Sequence, residues 1–364
     1  MNADPFEPYA FRSGARATNR LVLAPLTNGQ SNDDGSLGDD ELRWLARRAR
    51  GGFGTVETCA SHVSRSGKAF DGQLGCFDDS LLPGLTRLAS AVRSAGALAL
   101  VQLHHGGARS PSRLTGVQPI SASEFREERP DFELPRAATS DEIEGIVDDF
   151  ATAARRVEQA GFDGVEIHGA HGYLLCQFRS RELNLRTDAW GGPLEGRARL
   201  VCEVTRRIRA SVGSRFVVGV RLSPEDFGFA RGIDLDETGT TAGWLADAGA
   251  DFIHASLWDY TRSSQKYPAL HPLSVLRRAL PREVALMAAG KVWTRADVEA
   301  LLSLGADLVA VGRAAILNPE WPRALAQPGF EPTRGPLSPE ELERLDVGPR
   351  FVAYLRRFKQ MVSE

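Results

Sequence analysis

One short pattern recurs along this chain and restricts its fold more than any other: an amphipathic helix-length segment, then Gly-x-Asp, then an apolar run. It stands at Gly161-Phe162-Asp163, Gly249-Ala250-Asp251 and Gly305-Ala306-Asp307. Glycine ends a helix readily because it accepts the left-handed backbone required there. The apolar run that follows reads as a strand buried on both faces. Repeated αβ loops of one design fit parallel strands joined by helices. Eight candidate strands can be read, at 21–26, 55–61, 97–102, 164–168, 216–222, 252–256, 284–288 and 308–311. The clearest helix covers 141–160, with Ile143, Ile146, Val147, Phe150, Ala154 and Val157 on one face and Thr139-Ser140-Asp141-Glu142 before it as a capping box. Eight βα units in 364 residues predict an α/β fold, a single-domain (β/α)8 TIM barrel over 1–330. The remainder, 331–364, reads as a tail whose helix, 348–362, packs on the barrel or on a partner subunit. A doubly wound sheet is the weaker reading: it wants a glycine-rich turn after the first strand, and Leu23-Ala24-Pro25-Leu26-Thr27 offers none.

Bulk properties narrow the function. A net charge of −3 and a pI of about 6.2 favour neither nucleic acid nor an anionic membrane surface. No apolar run reaches membrane-spanning length, and the polar stretch 1–20 lacks the apolar core of a signal peptide. The four cysteines are widely spaced with no C-x-x-C, which argues against zinc ribbons and iron–sulfur clusters. A cytoplasmic protein with free thiols, without metal, nucleic-acid or membrane partners, is the expectation. A homo-oligomer stays open.

In a barrel of this kind the chemistry collects where the strands end. There His168, His171 and Tyr173 converge in one glycine-rich loop, Gly164-Val165-Glu166-Ile167-His168-Gly169-Ala170-His171-Gly172-Tyr173-Leu174. Imidazole N–H groups polarise a carbonyl oxygen, and a phenol can deliver a proton. Strand one ends Ala24-Pro25-Leu26-Thr27, strand two Glu57-Thr58, strand three Gln102-Leu103-His104-His105, strand seven Ala289-Gly290-Lys291 and strand eight Gly312-Arg313, while strand five carries Arg221. Small residues after strands seven and eight suit a phosphate. Thr27, Gln102 and Arg221 suit a flat ring bearing carbonyls and nitrogens. A phosphate at one end and a polar planar ring at the mouth describe FMN. Two long connections, 104–136 and 257–272, leave strand ends as lid or pocket-wall segments, the second carrying Trp258, Tyr260 and Tyr267.

Several of these segments together resemble the old yellow enzyme family of FMN-dependent ene-reductases. They are Ala24-Pro25-Leu26-Thr27, Val101-Gln102-Leu103-His104-His105-Gly106-Gly107, His168-Gly169-Ala170-His171-Gly172-Tyr173-Leu174, Asn184-Leu185-Arg186-Thr187-Asp188-Ala189-Trp190-Gly191-Gly192 and Gly312-Arg313, and the likeness runs over residues 5–325. The resemblance implies that Thr27 hydrogen-bonds the flavin C4 carbonyl, Gln102 meets the pyrimidine edge, and Arg221 stands near N1 and the C2 carbonyl. It implies that Gly290, Gly312 and Arg313 hold the phosphate. Ala24, Pro25, Leu26, Thr58, His168 and Ala289 complete the expected cofactor wall. His168 and His171 would hold the activating oxygen of an α,β-unsaturated carbonyl compound, with Trp258 nearby, and Tyr173 would be the proton donor. NAD(P)H would pass hydride to the flavin and leave before the second substrate enters, giving ping-pong kinetics.

The chain also departs from the family pattern. Thr27 stands where many bacterial members have cysteine, and Asn28-Gly29 stand where some place a tyrosine. Ala289 replaces a common glycine, and 357–364 lacks the arginine-plus-aromatic ending that enters a neighbour's site in one branch. Other readings of the residues remain: a flavin-free barrel acting on a phosphorylated metabolite with His168 and His171 as acid and base, a metal-dependent hydrolase, or a non-catalytic flavin barrel. Arg221 can also be read as a core arginine paired with Glu166 or Glu57.

Overall fold

The structure, a computed structural model, describes residues 3–128 and 131–364; Met1 and Asn2, at the start of the polar N-terminus, and Arg129 and Pro130, within the connection 104–136, lie outside them. Eight parallel strands close into a barrel: β1 (Leu21–Leu23), β2 (Thr55–His62), β3 (Leu98–His104), β4 (Gly164–Gly169), β5 (Val217–Leu222), β6 (Phe252–Ser256), β7 (Ala285–Ala289) and β8 (Leu308–Val311). Each pairs with its neighbour in chain order, and β8 pairs with β1 to close the ring. This is the TIM barrel expected from the sequence. β1 stops short of the expected 21–26 because Pro25 has no N–H to offer the ladder.

The Gly-x-Asp repeat has a structural cause. Gly161, Gly249 and Gly305 all take positive φ (89°, 105° and 100°) as the chain leaves a helix. Each following aspartate then clamps the base of the preceding strand. Asp163 accepts from the Ala99 N–H (2.9 Å), Asp251 from Val218 (2.8 Å) and Asp307 from Leu286 (2.8 Å). The capping box of Thr139 and Glu142 forms, and the helix it opens runs Ser140–Gln159.

Every second residue of a strand faces inward, so the barrel interior changes character from bottom to mouth. At the bottom Leu100, Val217, Phe252 and Leu308 form an apolar plug. A hairpin, Tyr9–Ala10 paired with Arg16–Ala17, adds Phe11, whose ring lies 6.0 Å from that of Phe252. Gly219 is required here, since a Cβ would meet the Phe252 ring at 2.0 Å. One step further along the strands come Glu166, His254 and Gln102, then His168, Arg221 and Ser256 toward the mouth.

The tail lies against the outside of β1 and its helix. The helix Pro349–Leu355 sets Phe351 edge-on against Trp44 (5.5 Å between centroids). The Gly348 N–H donates to Gln30 Oε1 at 2.8 Å. Buried Arg48, in the helix Asp39–Arg50, donates to the carbonyls of Ile316 (2.9 Å) and Leu345 (2.8 Å), tying tail to barrel. The helix is shorter than the expected 348–362 because the chain turns back to pair Leu337 N–H with Met361 O (3.2 Å). Among the described residues no helix is long and apolar enough to cross a membrane. All four cysteines are free and buried.

Candidate active site

β4 delivers His168 to the mouth, and the loop after it turns sharply. His171 takes φ 59°, and the Gly172 Cα lies so close to the Phe229 carbonyl that a Cβ would meet it at 2.2 Å. This folds His168 and His171 together, with ring centroids 4.9 Å apart. Their hydrogen bonds assign the tautomers. The Ala170 N–H donates to His168 Nδ1 (3.3 Å), which leaves Nε2 carrying the proton. Ser256 Oγ accepts from Arg221 Nε (3.2 Å) and Nη2 (3.0 Å), so its own hydrogen goes to His171 Nε2 (2.6 Å) and the His171 proton sits on Nδ1. Burial holds both imidazoles well below the usual histidine range; His171 and His104 add to this at His168, and Arg221 adds to it at His171. Both are therefore neutral near pH 7. They can donate hydrogen bonds to an oxygen but are poor sources of a whole proton.

Tyr173 stands beside them as the residue that opens the short helix Leu174–Arg179. Its ring meets His168 edge-on at 5.1 Å and His104 at 4.3 Å. The Arg109 guanidinium is clamped between the rings of Tyr173 (4.4 Å) and Phe229 (4.0 Å) and donates to the His171 carbonyl (3.0 Å). The two histidines of β3 part company. His104 turns toward Tyr173 and His168, whereas His105 Nδ1 accepts from the Gly107 N–H (3.1 Å) and caps its own loop.

A cavity opens at the same mouth. Of the residues singled out in the sequence, Ala24, Pro25, Leu26, Arg221, Trp258, Ala289, Gly290, Gly312 and Arg313 line it together. Thr27, Thr58, Gln102 and the pair His168 and His171 do not line that cavity. Thr58 spends its hydroxyl on the backbone, accepting from Gln102 N–H (3.3 Å) and donating to Cys59 O (2.8 Å). Gln102 is buried, with its amide turned to Glu166 (2.6 Å). Trp258 is 57% exposed and stacks on Phe227 at 4.5 Å, an aromatic pair at the rim.

Sequence reasoning missed two contributions. Lys291, at φ 54° and ion-paired with Asp259 (2.8 Å), adds a second cation beside Arg313 in the cavity wall. The larger omission is Tyr354. It comes from the C-terminal helix, hydrogen-bonds Thr27 and feels the charge of Tyr173; burial first, then Tyr173, pushes its phenol above the usual range. A phenol thus arrives from the tail where Asn28-Gly29 leave none. The aromatic face of the tail, Phe351, Tyr354 and Phe358, was the one signal available in the sequence.

Residues 4–329 match the NADH:flavin oxidoreductase / NADH oxidase family. The chain is 39% identical over 324 residues to the probable NADH-dependent flavin oxidoreductase YqiG of Bacillus subtilis (strain 168), covering 87% of this chain and 86% of that one. It is 34% identical over 330 residues to the NADH:fumarate oxidoreductase of Klebsiella pneumoniae (strain 342), covering 88% of this chain but only 36% of that protein's length. Among solved structures, the old yellow enzyme homologue from Zymomonas mobilis superposes with a TM-score of 0.82 at 29% identity, over 93% of this chain and 96% of that one. The chain belongs to the NADH:flavin oxidoreductase / NADH oxidase family, the flavoenzymes of old yellow enzyme type. It is an FMN-dependent oxidoreductase with NAD(P)H as its reductant.

The residues present fit that cofactor. Arg313 and Lys291 bring positive charge to the cavity beside Gly290 and Gly312, where a phosphate needs both cations and close backbone approach. A Cβ on Gly312 would meet only Leu26, at 3.3 Å, so the backbone there faces open space. Arg221 lines the same cavity, suiting the pyrimidine end of the ring.

Proposed function

We propose that the protein reduces the activated C=C bond of α,β-unsaturated carbonyl or related electron-poor compounds, using one pocket for NAD(P)H and the oxidant in turn. The observation that carries this reading is the pair of neutral imidazole donors set beside a phenol at the barrel mouth and tied through Ser256 to Arg221, which lines the cofactor cavity. Bound FMN supplies the hydride chemistry, taking two electrons from NAD(P)H and delivering them to the electron-poor carbon.

The chain's own groups supply the rest. His168 Nε2–H and His171 Nδ1–H hold the substrate's oxygen. Those bonds strengthen as charge moves onto it, so they favour the transition state over the ground state. Because both imidazoles are neutral, the proton for the α-carbon comes from Tyr173. Arg109 and His104 hold the Tyr173 ring in place from two sides. Thr27, Gln102 and Arg221 bind the ring of the cofactor; Ala24, Pro25, Leu26, Thr58 and Ala289 wall it; Gly290, Gly312 and Arg313, joined by Lys291, hold its phosphate. Trp258 with Phe227 shields the open side of the site from water.

An anaerobic visible spectrum tests the reading. Flavin bands should bleach with NAD(P)H and return with cyclohexenone. Tyr173→Phe should slow the return about 10²-fold and leave the bleaching largely intact. Bands that bleach but do not return with any enone would sink the substrate assignment.

A further inference from the structure

Below the mouth the barrel interior holds ionisable groups that the proposed hydride and proton steps do not use. Glu57, Glu166 and His254 are all fully buried, and one polar atom of each lies within 4.8 Å of the others. Glu166 is well supplied with donors. Gln102 Nε2 reaches its Oε1 at 2.6 Å and His254 Nδ1 its Oε2 at 2.6 Å. Glu57 has no such supply. Both its oxygens are buried without a partner among the described residues, and the group they face is the Glu166 carboxyl.

Two bare carboxylates side by side in a buried site repel each other and lose their hydration, so one of them takes up a proton. That proton turns one carboxyl into a donor for the other and satisfies both. The donors decide where the charge rests: on Glu166, which has two, with the proton on Glu57. Burial and the neighbouring Glu166 push Glu57 well above the usual carboxyl range. Burial also pushes Glu166 up, but His254, Arg221 and Gln102 outweigh it and hold Glu166 below that range. His254 itself, held down by burial against the pull of Glu166, is a neutral donor. Arg221 is then the cation that faces the pair, balanced by a single carboxylate.

We propose that Glu57 and Glu166 form a carboxyl–carboxylate pair sharing one proton, and that its single negative charge, acting through Arg221 and Gln102, sets the reduction potential of the flavin. Glu166 is in these terms a positioning residue: it orients the Gln102 amide and offsets the Arg221 charge. Reduction adds negative charge to the cofactor, so a second carboxylate below it would oppose the step, and the proton on Glu57 removes that opposition. The redox half of the proposal rests on the placement of Arg221 and Gln102 against the flavin ring proposed above.

The midpoint potential of the holoenzyme, titrated against a reference dye, tests it. Glu57→Gln exchanges a neutral carboxyl for a neutral amide and should leave the potential where it is. Glu166→Gln removes the charge and should favour reduction at least tenfold, about 30 mV for a two-electron couple. Equal rises in the two variants overturn the proposal. A shift in Arg221→Lys without one in Glu166→Gln also overturns it. No shift in either of those two variants instead overturns the placement of the ring, and the redox half with it. Should the glutamate variants fail to hold FMN, the Glu41→Gln holoenzyme decides on its own, because it lacks the other fully buried glutamate that burial pushes above the usual carboxyl range. Its infrared spectrum at neutral pH should show the carbonyl stretch of a protonated carboxylic acid, shifted by ¹³C-glutamate labelling and slow to exchange in D₂O. Absence of that band overturns the shared proton.

Discussion

Ser256 decides what His171 can do. Its hydroxyl takes two hydrogen bonds from Arg221 and gives its one hydrogen to His171, so a group at the end of β6 selects the tautomer of a histidine in the loop after β4. Without that hydroxyl His171 is free to rotate or to carry its proton on the wrong nitrogen. Ser256→Ala should therefore slow enone reduction roughly tenfold, the equivalent of one hydrogen bond of about 1.4 kcal/mol. Stopped-flow reoxidation of the reduced enzyme reads this directly, and an unchanged rate would show that Ser256 does not orient His171. At this scale the sequence was partly legible. His168, His171 and Tyr173 could be read as a unit because they share one loop. Tyr354 could not, because it lies 327 positions after Thr27 and nothing local marks their contact. Glu57 and Glu166 were visible only as possible partners of Arg221, since a strand sequence does not say which neighbour brings the donors.

Among the elements, the eight strands were legible because each is buried on both faces and so reads as a largely apolar run, interrupted where Glu57, Gln102, Glu166, Arg221 and His254 turn into the barrel. The Gly-x-Asp repeat marked where three of them begin, and the reason is now plain: a glycine for the turn and an aspartate for the neighbouring strand's first free N–H. The C-terminal helix was legible as a helix but not as part of the site, and its end was misread because a long-range pairing with Leu337 turns the chain back. Its function separates from its anchoring. Phe351→Ala removes a buried ring packed on Trp44 and should cost about 3–5 kcal/mol in urea unfolding, with poorer turnover as Tyr354 loosens. Tyr354→Phe should keep the unfolding midpoint and raise the KM for the enone. A Tyr354→Phe enzyme with unchanged KM would show that the Tyr354 hydroxyl, beside Thr27 and Tyr173, does not bear on enone binding.

For the whole molecule, the buried histidines make stability depend on pH. Burial pulls His62 down to about 4 and His105 to about 3, against an ordinary value of 6.5. Below pH 6.5 the unfolded chain binds protons at both sites while the folded one does not, so acidification favours unfolding. Each imidazole should cost about 2 kcal/mol between neutral pH and pH 5. The loss continues toward pH 4 for His62 and pH 3 for His105. Urea midpoints at pH 7 and pH 5 measure it; equal midpoints would mean that these histidines are not buried in the neutral form. None of this could be read from the sequence, where a histidine in a strand looks the same whether it is sealed or wet. The seal itself has a further consequence. Phe11 stoppers the barrel from below, and in the proposed placement the cofactor would cover it from above. An isotope placed on the proposed inner acid would then have no way out except past the flavin, and its wash-out time would become a clock for how long the barrel stays closed.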